Sequence, residues 1–343
     1  MKDRGLGSSE CSGRRRALAV LSAVLADALL GDPPSRFHPV AWMGSWIGLL
    51  RRIAPQRGPL ADLLYGAAAV GLSTLTLWLT GMWMTRHLAR WRLGWLAEGA
   101  LLSQLIAWRS LMRAGYAVAQ PLERGDLDEA RRQLGWHLVS RDTSRLDPSL
   151  VAAGAIESLA ENSSDSVVAP LFWYAIGGLP AALAYRFLNT ADAMLGYRDE
   201  EHEWLGKSAA RADDAVNLAP ARLTALLIVA GAALGGGNAG SAWRIWRRDG
   251  GKTASPNAGQ PMSAAAGGLE VVLEKVGHYR LGEGLAKPQA ADITRTSRLL
   301  SISVLLGVAV AAAAALFLPK VAFSRRTALR PGGSRQAEEE KSG

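Results

Sequence analysis

Four long stretches without a charged residue constrain the fold of this chain more than any other feature. They cover residues 63–85, 166–185, 223–243 and 299–319. Each has about 20 residues or more, enough to cross roughly 30 Å of hydrocarbon as an α-helix. Charged side chains flank every run, as expected where a helix leaves the bilayer. The pattern predicts an all-α, polytopic membrane protein built as a helical bundle.

Composition agrees with this prediction. Hydrophobic residues make up 49% of the 343-residue chain and charged residues only 20%, which is more apolar than a typical soluble domain. Twelve Trp residues suit a protein anchored at membrane–water interfaces. The single cysteine excludes a disulfide framework and any all-cysteine metal site. The net charge of +9 suits nucleic acid, anionic lipid or anionic substrates, and the chain has no exposed basic module of the kind that would favour nucleic acid.

Two further segments affect the predicted number of crossings. Residues 17–31 are short, contain Asp27 and follow three arginines, so a cleaved signal peptide is the alternative to a retained helix. The poor cleavage sequence Leu30-Gly31-Asp32-Pro33 favours retention. Residues 93–111 are amphipathic and are expected to lie on the membrane or to pack inside the bundle. In all, about four to six membrane segments are predicted.

The run over residues 166–185 contains its own breaking signal. Gly177-Gly178-Leu179-Pro180 lies in its middle, and a proline there removes a helix hydrogen bond. A broken or re-entrant element is predicted, which a membrane tolerates only inside protein or beside a cavity. Between the runs the chain is polar and helix-like, without alternating strand patterns. Residues 1–323 are predicted to form one membrane-embedded domain, and residues 324–343 a disordered tail.

Two glycine-rich segments resemble nucleotide-binding motifs but lack the required context. Residues 235–240 match the dinucleotide fingerprint letter by letter, but an apolar helix precedes them where the motif needs a strand. Gly250-Gly251-Lys252-Thr253 has the ending of a phosphate-binding loop, but Trp246 stands where the first glycine belongs. Neither segment is predicted to bind a nucleotide.

Three acidic residues stand four apart just before the second apolar run. Glu157, Glu161 and Asp165 share one face of a helix that Asp147-Pro148 begins. Like charges at this spacing repel, and a low-dielectric membrane edge raises the cost. Oxygen-only ligands favour Mg²⁺, so a metal site is one explanation and a solvated acidic face is another. Arginines elsewhere are a further source of neutralising charge: Arg141, Arg145 or Arg211.

Polar residues also flank the other apolar runs. Arg211 and Asp214 are spaced for an i, i+3 ion pair, which is the alternative to a functional site there. His38 taken alone is more typical of a satisfied loop histidine than of a catalyst. The other polar blocks are Asp32-Pro33-Pro34 before His38-Pro39, Asn189 with Asp192, Asp213 with Asn217, and the turn-prone loop 255–259.

Taken in chain order, these blocks resemble one family. They are Asp27 and Gly31-Asp32-Pro33-Pro34 with His38-Pro39-Val40; Ser140-Arg141-Asp142-Thr143; Glu157-Ser158-Leu159-Ala160-Glu161-Asn162 with Asp165; Ala169-Pro170-Leu171-Phe172; Ala184-Tyr185-Arg186, Asn189-Thr190 and Asp192; Gly196-Tyr197; Ala210-Arg211, Asp213-Asp214 and Asn217; Pro220-Ala221-Arg222-Leu223-Thr224; and Ser255-Pro256-Asn257-Ala258-Gly259. The series covers about residues 18–315. It resembles the adenosylcobinamide-phosphate synthase family of cobalamin biosynthesis, membrane proteins that attach aminopropanol to adenosylcobyric acid. Ser163-Ser164, Ser166 and Met262 depart from the commoner family pattern.

The resemblance implies an ATP-dependent amide ligation. A propionate carboxylate of the corrinoid would be activated, most simply as an acyl phosphate. The amine of (R)-1-amino-2-propanol, or of its phosphate, would then attack it. ATP and Mg²⁺ are the implied cofactors, and the corrinoid is a substrate. Phosphoryl transfer depends mainly on positioning and on charge neutralisation by Mg²⁺ and arginine, which suits these residue types.

The resemblance also implies roles for the matching residues. The expected Mg²⁺ ligands are Glu157, Glu161, Asp165, Asp192, Asp213 and Asp214. The expected substrate- and phosphate-binding residues are Asn162, Arg186, Asn189, Tyr197, Arg211, Asn217, Ser255 and Asn257. The expected catalytic residues are Asp32, His38, Arg141 and Asp142. Of these, the arginine would clamp phosphate or carboxylate groups, and Asp32, His38 or Asp142 would take the proton of the attacking amine.

A topological conflict follows if all five apolar segments cross. Asp32 and His38 would then share a side with residues 189–217, whereas residues 157–165 and 255–259 would face the other side. A single active site needs both groups, so the site must be sunk into the bilayer or some runs do not cross. Arginines occur in both sets of loops, so they do not settle the orientation.

The resemblance implies a place in the bacterial inner membrane, with a site accessible from the cytoplasm. Membrane lipid and late cobalamin-pathway enzymes are the implied partners besides the substrates. A corrinoid or anion transporter would also place acids and arginines beside broken helices, but it predicts inverted halves that the sequence does not show. A non-catalytic scaffold would explain the helices but not the dense carboxylate and asparagine blocks. Both remain alternatives to the synthase.

Overall fold

The computed structural model describes residues 4–55, 57–196 and 204–317. Tyr197, one of the predicted ligand-binding residues, lies outside the described residues, as does the predicted tail 324–343. The described helices are α1 (Arg4–Leu30), α2 (Pro39–Arg52), α3 (Pro59–Leu88), α4 (Gly94–Ser103), α5 (Trp108–Glu123), α6 (Leu127–His137), α7 (Pro148–Ser163), α8 (Ala169–Leu195), α9 (Lys207–Gly231), α10 (Ala239–Asp249), α11 (Gly259–Leu269) and α12 (Ala290–Phe317). Two short strands, β1 (Leu273–Lys275) and β2 (Tyr279–Leu281), form a hairpin between α11 and α12.

Among the described residues, four helical stretches are long and apolar enough to cross a membrane. They are Pro59–Leu88, Pro148–Leu195, Lys207–Gly236 and Ala290–Phe317. The first is mostly exposed and presents large apolar side chains such as Leu72, Leu75 and Trp83 outward, as expected for contact with lipid. The second is mostly buried inside the bundle. The prediction of an all-α polytopic membrane protein is confirmed.

The second stretch folds back on itself at Gly178. Gly178 adopts φ +70° and ψ −162°, a conformation that favours glycine, and Pro180 follows without a backbone N–H. The Tyr185 hydroxyl donates a hydrogen bond to the Asp165 carbonyl at 3.0 Å. A straight helix would separate these positions by about 30 Å, so the chain must fold back between them. Of the predicted alternatives, a broken or a re-entrant element, the break is confirmed.

The apolar run over residues 223–243 is not one continuous helix, because the candidate membrane stretch that contains most of it ends at Gly236. A π-helical turn (Ala232–Gly236) follows α9, Gly235 takes a positive φ of 99°, and the helix ends there. Asn238 then caps α10 by accepting a hydrogen bond from the Ser241 backbone N–H at 3.0 Å. The glycines at residues 235–237 can adopt the backbone conformations that this break requires. The apolar composition of the run gave no sign of it. A helix, not a strand, precedes the glycines, in agreement with the rejection of a dinucleotide motif.

The segment 93–111 packs inside the bundle, the second of the two predicted placements. It forms α4 and the start of α5, with Leu102, Leu105 and Ile106 fully buried. Asp27 near the end of α1 is buried and accepts a hydrogen bond from the Arg109 backbone N–H at 3.0 Å. The end of α1 is thereby fixed to the start of α5.

The β-hairpin contradicts the expectation of purely helical connections. Its register pairs Leu273 with Leu281, Glu274 with Arg280 and Lys275 with Tyr279. Each strand has only three residues, too few for an alternating pattern to stand out in the sequence. Gly277 adopts φ +78° in the connecting turn. The two leucines are completely buried and attach the hairpin to the core.

A cavity of about 560 Å³ lies between α2, α3, α4 and α8. Trp42, Trp46, Leu183 and Phe187 line it together with other mainly apolar side chains. Its Ser73 hydroxyl already accepts a hydrogen bond from the Trp46 indole at 3.0 Å. The cavity offers hydrocarbon-like walls rather than groups for chemistry, so the functional site must be sought elsewhere.

Asp249 at the end of α10 anchors the loop that follows it. Its carboxylate is completely buried and accepts hydrogen bonds from Arg248 at 2.8 Å and from the Gly282 backbone N–H at 2.8 Å. The Lys252 ammonium lies 2.7 Å away. Burial would raise the pKa of Asp249, but these donors outweigh it and lower the pKa to about 2. Lys252 belongs to the segment that resembles the end of a phosphate-binding loop. Here its ammonium group binds the Asp249 carboxylate instead.

We expect Asp249→Asn to lower the free energy of unfolding by about 1–3 kcal/mol, because three donors lose their charged acceptor. Thermal unfolding of detergent-solubilised protein measures this change. Asp126→Asn is the matched control. Asp126 caps α6 by accepting from the Glu129 backbone N–H, and asparagine caps a helix equally well.

The same anchor predicts an acid dependence. The pKa of Asp249 of about 2 lies below the value of about 3.9 for an unfolded aspartate. Its charged form therefore stabilises the fold above roughly pH 4, and this contribution is lost as the pH falls from about 4 towards 2. The Asp249→Asn variant should lack this part of the dependence. Identical unfolding curves for wild type and Asp249→Asn would contradict the anchoring role.

Candidate active site

Polar side chains from distant parts of the chain converge beside the re-entrant break. The π-helical turn Ser164–Val168 between α7 and α8 supplies Asp165. The later part of α8 and the start of α9 lie against it, and the loop between α10 and α11 closes one side. The members contributed by these elements are Arg186, Asn189 and Asp192 from α8, Asp213, Asp214 and Asn217 from α9, and Ser255 and Asn257 from the loop.

Asp213 is held by a network of amides. The Tyr185 hydroxyl donates to the Asn217 side-chain oxygen at 2.9 Å, and the Asn217 amide donates to Asp213 at 3.0 Å. The Asn189 amide approaches the other Asp213 oxygen at 3.4 Å. Tyr185, Asn217 and Asp213 are all buried. The network gives the carboxylate a fixed position without adding a positive charge.

The loop after α10 joins the same cluster. The Ser255 hydroxyl donates to the Asp214 carboxylate at 3.1 Å, and the Asn257 amide donates to the Asp214 carbonyl at 2.8 Å. The side-chain oxygen of Asn257 is buried and has no hydrogen-bond partner among the described residues. Asp214 is thus bonded to Ser255, and the described contacts do not show the alternative ion pair with Arg211.

Arg186 is the cation of this part of the cluster. Its guanidinium lies 3.3 Å from the Ser166 hydroxyl and 3.3 Å from the Asn189 side-chain oxygen. It also interacts electrostatically with Asp165, Asp213 and, across the cluster, Asp32. Residues predicted to lie on opposite sides of the membrane therefore meet in one place, and the re-entrant reversal removes the topological conflict.

Asp32 and His38 form a pair at the edge of the cluster. The Ser110 hydroxyl donates to Asp32 at 2.5 Å, and the His38 Nε2 lies 3.7 Å from the other Asp32 oxygen. The His38 Nδ1 accepts a hydrogen bond from the Val40 backbone N–H at 3.2 Å, which caps α2. A neutral His38 therefore carries its proton on Nε2, facing Asp32, and has no free lone pair.

The contact with His38 lowers the pKa of Asp32, burial opposes this effect, and Ser110 lowers the pKa further. Asp32 is consequently ionised at neutral pH. About a third of its side chain is exposed, so it remains reachable from the cluster. Of the two groups, Asp32 is the one that can accept a proton.

Glu157 and Glu161 form the other half of the cluster. Glu157 is buried, so the alternative of a solvated acidic face does not describe it. The Arg141 guanidinium lies 3.4 Å from one of its oxygens, and its other oxygen has no hydrogen-bond partner among the described residues. Lys275 acts electrostatically on both glutamates, and Tyr279 lies beside Glu157. Each glutamate therefore faces a cation.

The two halves differ in charge balance. The glutamate half consists of Glu157 and Glu161, which face the cations Arg141 and Lys275. The aspartate half consists of Asp165, Asp192, Asp213 and Asp214. Arg186 interacts electrostatically with Asp165 and Asp213, and Asp192 and Asp214 interact with Asp213. Glu161 and Asp192 also interact, which makes the halves continuous. Within the described residues, no three histidine, cysteine or carboxylate groups converge as a preformed metal site. The aspartate half nevertheless holds more carboxyl groups than cationic groups.

Some predicted site residues make only local contacts among those described. Asp142 is exposed and accepts hydrogen bonds from the Ser144 backbone and hydroxyl, as in an Asx-turn. The Asn162 amide donates to the Ser158 carbonyl one turn earlier in α7. Arg211 is exposed on α9. The structure does not bring these three into the hydrogen-bond network of the cluster.

Sequence reasoning missed Ser110, Lys275 and Tyr279. Ser110 follows an apolar segment and has no motif around it. Lys275 and Tyr279 flank a Gly-containing turn, and the inward leucines on either side were the available signal for a hairpin. Tyr279 is also held neutral, because burial and the nearby glutamates raise its pKa.

The chain was compared with known proteins. Residues 20–309 match the CobD/Cbib protein family. The chain is 43% identical over 274 residues to the cobalamin biosynthesis protein CobD of Dehalococcoides mccartyi, covering 78% of this chain and 87% of that protein. It is 40% identical over 303 residues to the probable cobalamin biosynthesis protein CobD of Methanothermobacter thermautotrophicus, covering 88% and 98%. No solved structure matches it. The extent of these matches shows that the chain belongs to the CobD/Cbib family.

Proposed function

We propose that this protein is a synthase of cobalamin biosynthesis that joins aminopropanol, or its phosphate, to a propionate carboxylate of adenosylcobyric acid with ATP hydrolysis. The relatives are named cobalamin biosynthesis proteins, which supports the pathway. The observation that carries the proposal is the convergence of the family-like blocks, from Asp32 to Asn257, into one polar cluster. We place the protein in the bacterial inner membrane with the site facing the cytoplasm, where ATP is available.

The proposed reaction has two steps. A carboxylate oxygen of the corrinoid attacks the γ-phosphorus of ATP, and ADP leaves with the electrons of the broken bond. The amine nitrogen then attacks the acyl carbon, inorganic phosphate leaves, and the nitrogen loses a proton. A carboxylate is a poor electrophile until it is phosphorylated, so the first step is required before the second. Such chemistry depends mainly on positioning and charge neutralisation.

The aspartate half fits Mg²⁺ by its donor chemistry. Its ligands are oxygen atoms, its carboxylates outnumber its single arginine, and the buried Asn257 oxygen is an unused acceptor. We assign Mg²⁺ to Asp165, Asp192, Asp213 and Asp214 in preference to Glu157 and Glu161, which already face Arg141 and Lys275. When bound, Mg²⁺ would neutralise charge on the phosphates of ATP. Mg²⁺ in proteins usually keeps water molecules and substrate oxygens as further ligands, so the protein need not supply all of its ligands.

The remaining residues bind and orient. Arg186 clamps a phosphate or carboxylate with the donors that Ser166 and Asn189 leave free. Asp32 takes the proton of the attacking nitrogen, which becomes strongly acidic once it bonds to the acyl carbon. His38 caps α2 and holds Asp32. Asp32 is thus the catalytic base in this scheme and His38 a positioning residue.

The proposal is tested with detergent-solubilised protein, Mg-ATP, adenosylcobyric acid and aminopropanol phosphate, with the products identified by mass. We expect a new amide with stoichiometric ADP and phosphate. Release of AMP would keep the ligation but replace the acyl phosphate with an acyl adenylate. If authentic substrates bind and no amide forms, the synthase proposal is wrong and a scaffold or transporter takes its place.

Asp213→Asn should reduce kcat/KM by about 10²–10³-fold and raise the Mg²⁺ concentration needed for half-maximal rate. The change removes one negative charge while leaving a group that Asn217 and Asn189 can still contact. Steady-state rates across a Mg²⁺ titration measure both effects. Asp128→Asn, on the exposed face of α6, is the control and should behave as wild type. An unchanged Mg²⁺ requirement in Asp213→Asn would remove Asp213 from the metal site.

His38 provides a separate test, because a residue that caps a helix and a residue that acts as a catalytic base tolerate different substitutions. We expect His38→Asn to retain activity within about fivefold, since asparagine can accept the Val40 N–H, and His38→Ala to lose more. Asp32→Asn should lose at least about 10²-fold, as expected for a catalytic base. The pH–rate profile of each variant is the measurement. A loss in His38→Asn as large as that in Asp32→Asn would make His38 the base instead.

A further inference from the structure

The β-hairpin presents two chemically different faces. Side chains alternate along a strand, so Leu273 and Lys275 share one face, and their cross-strand partners Leu281 and Tyr279 lie on the same face. The two leucines are completely buried, which identifies this face as the inner one. The outer face carries a different pair. Glu274 and Arg280 form an exposed ion pair there with a separation of 2.8 Å.

The inner face lies over the glutamate half of the site. Tyr279 lies beside Glu157, and Lys275 acts electrostatically on Glu157 and Glu161. β1 packs directly on α7, which carries both glutamates. The Arg141 guanidinium, from the loop before α7, lies 3.4 Å from a Glu157 oxygen. One cation from this loop and one from β1 therefore meet beside one carboxylate.

Both cations keep unused hydrogen-bond donors. A guanidinium has five N–H donors, and the described contacts of Arg141 use one NH₂ group on Glu157 while its Nε is buried without a partner. Among the described residues, the Lys275 ammonium forms no direct ion pair. The glutamates thus orient the two cations without saturating them. Spare donors on an arginine and a lysine are the usual means of binding phosphate.

We infer that Lys275 and Arg141 form a phosphate subsite, with Glu157 and Tyr279 fixing the position of Arg141 and the hairpin. The inference rests on the proposed function only for the identity of the ligand. Phosphate enters that reaction from two sources, the nucleotide and the phosphorylated amine. The aspartate half offers carboxyl oxygens, which suit a metal ion, whereas the glutamate half offers the two cations. The subsite therefore orients a ligand along the cluster, with phosphate at the glutamate end and metal at the aspartate end.

Steady-state kinetics of Lys275→Met distinguish the two sources. If the subsite binds the amine's phosphate, KM for aminopropanol phosphate should rise at least tenfold, while KM for free aminopropanol and for ATP stays unchanged. If it binds the nucleotide, KM for ATP should rise at least tenfold with either amine. Lys275→Arg should recover most of the loss, because the charge is restored. A fall in kcat with no change in any KM would overturn the subsite.

A binding measurement separates this inference from the proposed function. Inorganic phosphate and pyrophosphate should raise the melting temperature of the wild-type protein, and Lys275→Met should lose that protection even if no amide is ever formed. Arg280→Met is the matched control, because it removes a cation from the outer face of the same hairpin. Equal protection in all three proteins, or equal loss in both variants, would show that Lys275 does not bind phosphate. Protection by propionate at the same concentration as by phosphate would reassign the subsite to a carboxylate.

Discussion

The reversal at Gly178 is the constraint on which the rest of the site depends. A glycine with positive φ, followed by a proline without a backbone N–H, ends one helix and starts another inside the apolar stretch. Tyr185 then closes the reversed segment by bonding both to the Asp165 carbonyl and to Asn217 on α9. Without this fold-back, Asp165 and Arg186 would stand about 30 Å apart at opposite ends of a helix. No single site could use both.

The cluster survives at a membrane edge because most of its polar atoms have partners. Asp213 receives two asparagine amides, Asp214 receives a serine hydroxyl, and Glu157 faces an arginine and a tyrosine. Buried polar groups that lack such partners cost several times more than the net gain of an ordinary hydrogen bond. The few atoms left unpartnered, among them the Glu157 and Asn257 oxygens, therefore mark the places where a ligand would complete the network.

The sequence predicted the fold well where a local rule decided it. Charge-free runs predicted the membrane helices, the Gly-Gly-Leu-Pro stretch predicted the break at Gly178, and Asp147 predicted the start of α7, which it caps. The failures had physical causes. Apolar composition cannot distinguish a continuous crossing from one that ends at a glycine such as Gly235, and strands of three residues are too short to show alternation. His38 before Pro39 is itself a helix-start pattern, so its capping role was readable locally.

Local sequence patterns could not predict that the residues of the candidate site converge, because they come from elements far apart in the chain. Spacing placed Glu157, Glu161 and Asp165 on one face, yet it could not show that the first two face cations and the third joins other aspartates. That division depends on the hairpin over α7 and on the loop that Asp249 anchors against the hairpin's far end. The hairpin and this loop thus determine the balance of cations and carboxyl groups in the two halves of the cluster. A ligand carrying phosphate at one end and a metal-bound group at the other would be oriented by this difference before any bond is formed.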